Sequence, residues 1–168
     1  MTHAATSGGP GTRPGRNPRR AALALTLQIA TRSRRLPALT RLRRWARAAL
    51  AQPARVTLRI VGEREGESLN REFRRKPRAT NVLTFGYDPD DRGGCLTGDI
   101  VLCAPVIRRE ARAQDKDLTA HYAHLTVHGL LHLQGYEHEH PRQTRIMEAR
   151  EVAILQRLGF PNPYATED

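Results

Sequence analysis

The segment HGLLHLQGYEH, His128 to His138, constrains the fold more than any other stretch of the chain. His128 and His132 are four residues apart within an apolar run of helical length. At about 100° per residue they lie within about 40° of each other, so both imidazoles project from one helix face. Gly135 marks the end of that helix, because glycine tolerates the left-handed turn that reverses the chain. His138 follows three residues later, in position to swing back and supply a third nitrogen. Three neutral imidazoles suit a divalent ion, one per chain. They leave it its full charge and an open fourth position, as in a catalytic zinc site and unlike a closed structural one. The affinity order lets other divalent ions use the same nitrogens. His121 and His124 extend the stripe upstream, either as partners of the ligands or as plain helix surface. His140 is a less regular alternative for the third ligand.

The remaining sequence supplies the other elements. Period-two alternation over 21–30 (Leu23, Leu25, Leu27, Ile29) and 54–62 (Val56, Leu58, Ile60) predicts two strands with those residues inward. Residues 37–51 open at Pro37 and put Leu39, Leu42, Trp45, Ala46 and Ala49 on one face of an amphipathic helix. Residues 66–75 read as a short helix capped by Ser68, and 80–87 and 98–103 as two more strands. Helices are expected over 104–114, over 117–134 with Asp117 or Thr119 as cap, and over 141–158 with Gly159 as the stop. The order is β-α-β-α-β-β-α-α-α.

Charge is distributed unevenly. The net charge is +11, and residues 1–50 hold eleven Arg and no Asp or Glu. The other 17 basic residues (28 − 11) meet 17 acidic ones in 51–168, so the whole excess sits in the first third. This points to a polyanionic partner such as nucleic acid. Residues 1–20 are Gly, Pro and Arg with little to bury and are expected to be a disordered basic tail. No apolar run approaches the roughly 18 residues of a membrane helix, so no membrane partner is expected. Two cysteines, Cys95 and Cys103, are too few for a disulfide framework and fit a reducing, cytoplasmic compartment.

The spacing H-x-x-x-H-x-x-G-x-x-H is similar to that of the metzincin proteases, which carry Glu directly after the first His as general base. Here that position is Gly129. The metal cage is present without the protease's base.

The chain as a whole resembles the YbeY family of metal-dependent single-strand endoribonucleases, the bacterial rRNA maturation factors. The histidine segment matches that family's signature, with Glu137 in place of the usual Asp. A second block, LNREFRRKPRATNVLTF over 69–85, matches at Leu69, Asn70, Phe73, Arg74, Thr80, Asn81, Val82, Leu83, Thr84 and Phe85. GDIVLC, ending at Cys103, and the C-terminal MEAREVAILQRLGFPNPY also fit. Pro77, Ala79 and Gly86 depart from the family pattern in loops near the second block.

The resemblance covers roughly 21–164, which makes that span a single domain and 165–168 a short tail. It implies an α+β fold: a small mixed four-stranded sheet packed against about five helices, with the three-histidine site at the end of a central helix. It implies cleavage of single-stranded RNA, a role in maturing the 3′ end of 16S ribosomal RNA, and partners on the ribosome or among small-subunit assembly proteins. It also makes Arg74 an active-cleft residue. A guanidinium there can grip a phosphodiester with two parallel hydrogen bonds, flanked by Arg71, Arg75, Lys76 and Arg78 as RNA contacts. Glu137 is the candidate proton shuttle, or else orients its neighbour His138. The rival readings are a zincin-like metalloprotease and a non-catalytic ribosome assembly factor with a structural metal. The sequence leaves the oligomeric state open.

Overall fold

A computed structural model of the chain describes residues 22–87 and 94–165. The expected basic tail over 1–20 lies outside the described residues, as does most of 165–168. Four strands and five helices follow the predicted order: β1 (Leu23–Ala30), α1 (Leu39–Ala49), β2 (Ala54–Val61), α2 (Glu63–Arg74), β3 (Val82–Tyr87), β4 (Leu96–Cys103), α3 (Ala104–Ala113), α4 (Leu118–Leu133) and α5 (Pro141–Arg157).

The sheet is mixed and runs β1-β2-β4-β3. β1, β2 and β4 are parallel: α1 makes the crossover from β1 to β2, and α2 followed by β3 connects β2 to β4. β3 is antiparallel to β4 and forms one edge of the sheet. Alternation along the strands divides the core between two faces. On one face Val56, Leu58, Ile60, Ile100 and Leu102 pack with Leu42 and Trp45 of α1, Leu130 and Leu131 of α4, and Ile154 of α5. On the other, Val61, Leu83, Val101 and Cys103 pack beneath Leu69 and Phe85. Each large side chain fully removed from water contributes about 1.5–3 kcal/mol, so the first face supplies most of the cohesion.

α4 is the central helix. Asp117 caps it, its Oδ1 accepting from the Ala120 N–H at 3.0 Å. It lies on the sheet at two close approaches. A Cβ on Gly129 would stand 3.2 Å from side-chain methyls of Ile100 and Thr84. A Cβ on Gly98 of β4 would stand 2.6 Å from Leu133 Cδ2 and 2.9 Å from the Phe85 carbonyl oxygen.

Two local expectations differ. α2 starts at Glu63 with Gly62 at its N-cap, so Ser68 lies inside the helix and caps nothing. The helix begins as β2 ends, and Gly66, a poor helix former, is tolerated because it packs against Cys103. In β1, Leu25 is buried but Ile29 is 56% exposed. β1 is the other edge of the sheet, with a neighbouring strand on one side only.

Candidate metal centre

The C-terminal end of α4 is closed by a Schellman turn. The Tyr136 N–H donates to the Leu131 carbonyl at 3.1 Å and the Gly135 N–H to the His132 carbonyl at 3.0 Å. Gly135 has φ +95°, a conformation an L side chain rarely adopts. Gln134 ties this turn to α1: its side-chain amide donates to the Ala49 carbonyl at 2.8 Å and accepts from the Ala51 N–H at 2.9 Å.

The turn returns the chain so that ligand nitrogens of His128, His132 and His138 all lie within 4.8 Å of one another. The rings of His132 and His138 are 4.7 Å apart, and those of His128 and His138 5.7 Å. His140 is not part of this group; it is the exposed N-cap of α5.

The site is held from behind by residues the motif does not contain. Glu151, on α5, is fully buried. Its Oε1 accepts from His128 Nδ1 at 2.6 Å, and its Oε2 from His124 Nε2 at 2.7 Å and from the Tyr164 hydroxyl. Burial alone would raise the Glu151 carboxyl; the hydrogen bonds from His124 and His128 outweigh it and hold its pKa at about 2. Burial, and then the contact with Glu151, push the Tyr164 hydroxyl up. A carboxylate on Nδ1 fixes the His128 tautomer and leaves Nε2 free as a ligand. That Nε2 lies 3.1 Å from His132 Nε2. Burial, then the neighbouring His128 and His138, lower the His132 pKa to about 4, so this ring is neutral at physiological pH.

These residues fit a divalent ion. Two imidazole nitrogens bound tetrahedrally at about 2.05 Å stand roughly 3.3 Å apart, close to the separation present. A second grouping, His124, His128 and Glu151, has ligand atoms equally close. There the carboxylate oxygens are already occupied by hydrogen bonds, so it serves as support for the first.

His124 and His121 thus differ from plain helix surface. His121 is buried, and its Nε2 donates to Glu110 Oε2 at 2.8 Å. Glu110 also accepts from Asn81 Nδ2 at 3.1 Å, which fastens α3 and α4 to the start of β3. Glu151, Tyr164 and Glu110 escaped the sequence reading. One signal for Glu151 was present: it interrupts the apolar stripe Met147, Ile154, Leu155 of α5, the only acid among that helix's buried residues.

The other expected residues, Glu137 apart, lie at the end of α2 and in the loop that follows it. Arg74 is the last residue of α2, exposed, with no ion pair among the described residues. Arg71 pairs with Glu67 at 2.7 Å. Arg75, with φ +54°, is the C-cap, and Lys76 and Arg78 are exposed in the loop that follows. The Arg78 carbonyl accepts from buried Asn70, which fixes that loop's path. Glu137 is exposed on the turn beside His138.

Comparison with known proteins finds a matching family model, named relatives and a similar fold. The family model described as Endoribonuclease YbeY matches residues 29–159. An Endoribonuclease YbeY of Nitrosomonas europaea is 54% identical over 145 residues, 86% of this chain and 87% of that protein. One of Methylibium petroleiphilum is 50% identical over 152 residues, 89% of this chain and 99% of that protein. The fold is similar to a solution structure of a Thermotoga maritima protein, with a TM-score of 0.51 at 21% identity, covering 84% of this chain and 100% of that one.

Proposed function

From the premise that the chain belongs to the Endoribonuclease YbeY family, we propose that it is a zinc-dependent endoribonuclease that cleaves single-stranded RNA in the cytoplasm. Its substrate in this reading is ribosomal RNA, at the 3′ end of the 16S molecule, and it acts alongside small-subunit assembly proteins. The observation that carries the proposal is the convergence of His128, His132 and His138, with the His128 tautomer set by Glu151.

His128, His132 and His138 hold the ion. When bound, it supplies positive charge for a phosphoryl oxygen and makes a nearby water more acidic. The protein's own groups do the rest. Glu151 keeps His128 oriented and its Nδ1 protonated. Arg74 takes the phosphoryl oxygens on which charge builds, through the planar fork that matches them. Arg71, Arg75, Lys76 and Arg78 hold the flanking phosphates. Glu137 orients His138 or moves a proton on the open side of the turn.

The metalloprotease reading is disfavoured by packing. Position 129, where that base would stand, lies against Ile100 and Thr84 of the sheet. A Cβ there would already press on their methyl groups, which must give by a few tenths of an ångström before a carboxylate is added.

One purified sample separates the readings. Incubated with a single-stranded RNA, a duplex and an unfolded protein, with and without chelator, it is expected to cut the single strand alone, and only without chelator. Cleavage of the unfolded protein would favour a protease. An intact RNA beside a stoichiometric metal would favour an assembly factor.

A further inference from the structure

A second concavity, of about 600 Å³, opens at the opposite end of α4 from the histidine cluster. It lies between the β1–α1 loop, α3 and the turn into α4. Five cationic side chains line it: Arg34, Arg35, Arg108, Arg112 and Lys116. The carboxylate in the lining is that of Asp117, whose Oδ1 caps α4. Arg59, Arg71 and Arg109 are ion-paired elsewhere, whereas none of these five has a carboxylate within salt-bridge distance among the described residues.

The walls are built rather than incidental. Arg108 Nη2 donates to the Arg34 carbonyl at 2.7 Å, stapling the β1–α1 loop onto α3. Lys116 Nζ donates to the Pro163 carbonyl at 2.7 Å. Both hydrogen bonds position the side chains without neutralising their charge. Arg35 and Asp115, with φ +59° and +50°, hold left-handed backbone in the two loops that frame the concavity. Non-glycine residues stay in that region only where their surroundings over-determine it.

We propose that this concavity is an accessory site for the RNA phosphodiester backbone, gripping a stretch of chain remote from the scissile bond. The proposal rests on the endoribonuclease reading above and adds a second point of attachment to it. A protein partner would need apolar or aromatic anchors, and the apolar residues of the lining are Ala111 and Leu118. With no aromatic in the lining to stack on a base, the grip is on backbone and indifferent to sequence. Leu118 and His132 are separated by about 21 Å along the helix. A trinucleotide held at the histidines is too short to reach both sites, and a long RNA is not.

The test compares single-stranded RNAs of about 3 and about 30 nucleotides. Arg34 and Arg112 are exposed, so an Arg34→Ser/Arg112→Ser double variant removes two charges without touching the core. Arg150→Ser/Arg157→Ser, on the exposed side of α5, removes the same charge elsewhere. On the metal-loaded protein, binding is read by fluorescence anisotropy and cleavage by kcat and KM.

For the long RNA, the first variant is expected to bind about 10-fold more weakly and to raise KM, with kcat unchanged. Its slope of log affinity against log salt should become shallower by about 1.4, since two phosphates go unneutralised at roughly 0.7 each. The short RNA and the control variant should behave as wild type. Equal weakening of both RNAs, or of both variants, would overturn the proposal. So would unchanged RNA binding together with abolished binding of polyglutamate, which would make the concavity a seat for an acidic protein segment. An Arg34→Glu/Arg112→Glu variant, which shifts the charge twice as far, must push every expected change further in the same direction. If the wild type binds the long RNA through this concavity yet cuts nothing, the endoribonuclease reading fails and the accessory site stands.

Discussion

His121 and His128 sit on the same stripe of the same helix, two turns apart, and each donates a ring hydrogen to a glutamate. They differ in which nitrogen is used. His121 gives its outer nitrogen, Nε2, to Glu110, and its Nδ1 is buried without a partner among the described residues. His124 does the same toward Glu151. His128 gives its inner nitrogen, Nδ1, and keeps Nε2 facing His132. The carboxylate's position thus decides whether a histidine ties helices together or becomes a ligand. Residue type and helical spacing are common to both ends; the partner from another element makes the distinction.

The sharpest break of this comparison is His132→Ala. Elemental analysis of the purified wild type should find about one zinc per chain, and the variant should have none and cut no RNA. A full metal signal surviving the change would mean that the ion sits elsewhere. Next in size is Arg74→Ala, which leaves every ring nitrogen alone. It should keep the metal and lose about 100- to 1000-fold in cleavage rate, and Arg74→Lys should recover little. A normal rate in Arg74→Ala, beside a dead Glu137→Gln that retains its metal, would exchange the roles assigned to those residues.

Glu151→Gln tests the ligand end directly. An amide cannot accept from all three donors as a carboxylate does, and metal affinity should fall about 10- to 100-fold in competition with a chelator. Glu110→Gln is the matched change at the structural end. It should cost about 1–3 kcal/mol in urea unfolding and leave metal affinity untouched. Burial alone would raise the Glu110 carboxyl, but hydrogen bonds from His121 and Asn81 hold it below the usual carboxylate range. Its contribution is therefore complete above the ordinary carboxylate pKa and is lost as pH falls through the lowered one. The variant's stability should accordingly depend less on pH on the acid side. Smallest of all, Tyr164→Phe removes one of three donors to Glu151 and should weaken metal binding by a few-fold. An equal loss of metal in Glu110→Gln and Glu151→Gln would erase the distinction between the two ends.

Much of this was legible from local pattern. The nine elements, the Asp117 cap, the paired histidines and the Gly135 turn each depend on residues a few positions apart, so periodicity and turn chemistry expose them. What was not legible depends on distance in the chain. Glu151 is 23 residues beyond His128, and Glu110 is 11 before His121. Nothing in either segment states which helix it will face. The start of α2 was missed for a related reason. Glycine at an N-cap offers no side-chain signal, while Ser68 offers one that the helix does not use. Ile29 was misjudged because alternation marks a face of a strand and cannot reveal which of its positions on an edge strand stay exposed.

The two glycine approaches beneath α4 have a consequence for precision. A bound ion distinguishes ligand positions to a few tenths of an ångström, while a helix resting on flexible side chains can slide or roll by that much. Gly129 lets the helix seat directly on Ile100 and Thr84, and Gly98 accepts Leu133 one turn further on. With both seats filled, neither rotation nor axial slip is free. The sheet is the datum from which the imidazoles are set, so the accuracy of the metal centre is inherited from strands that never touch the ion.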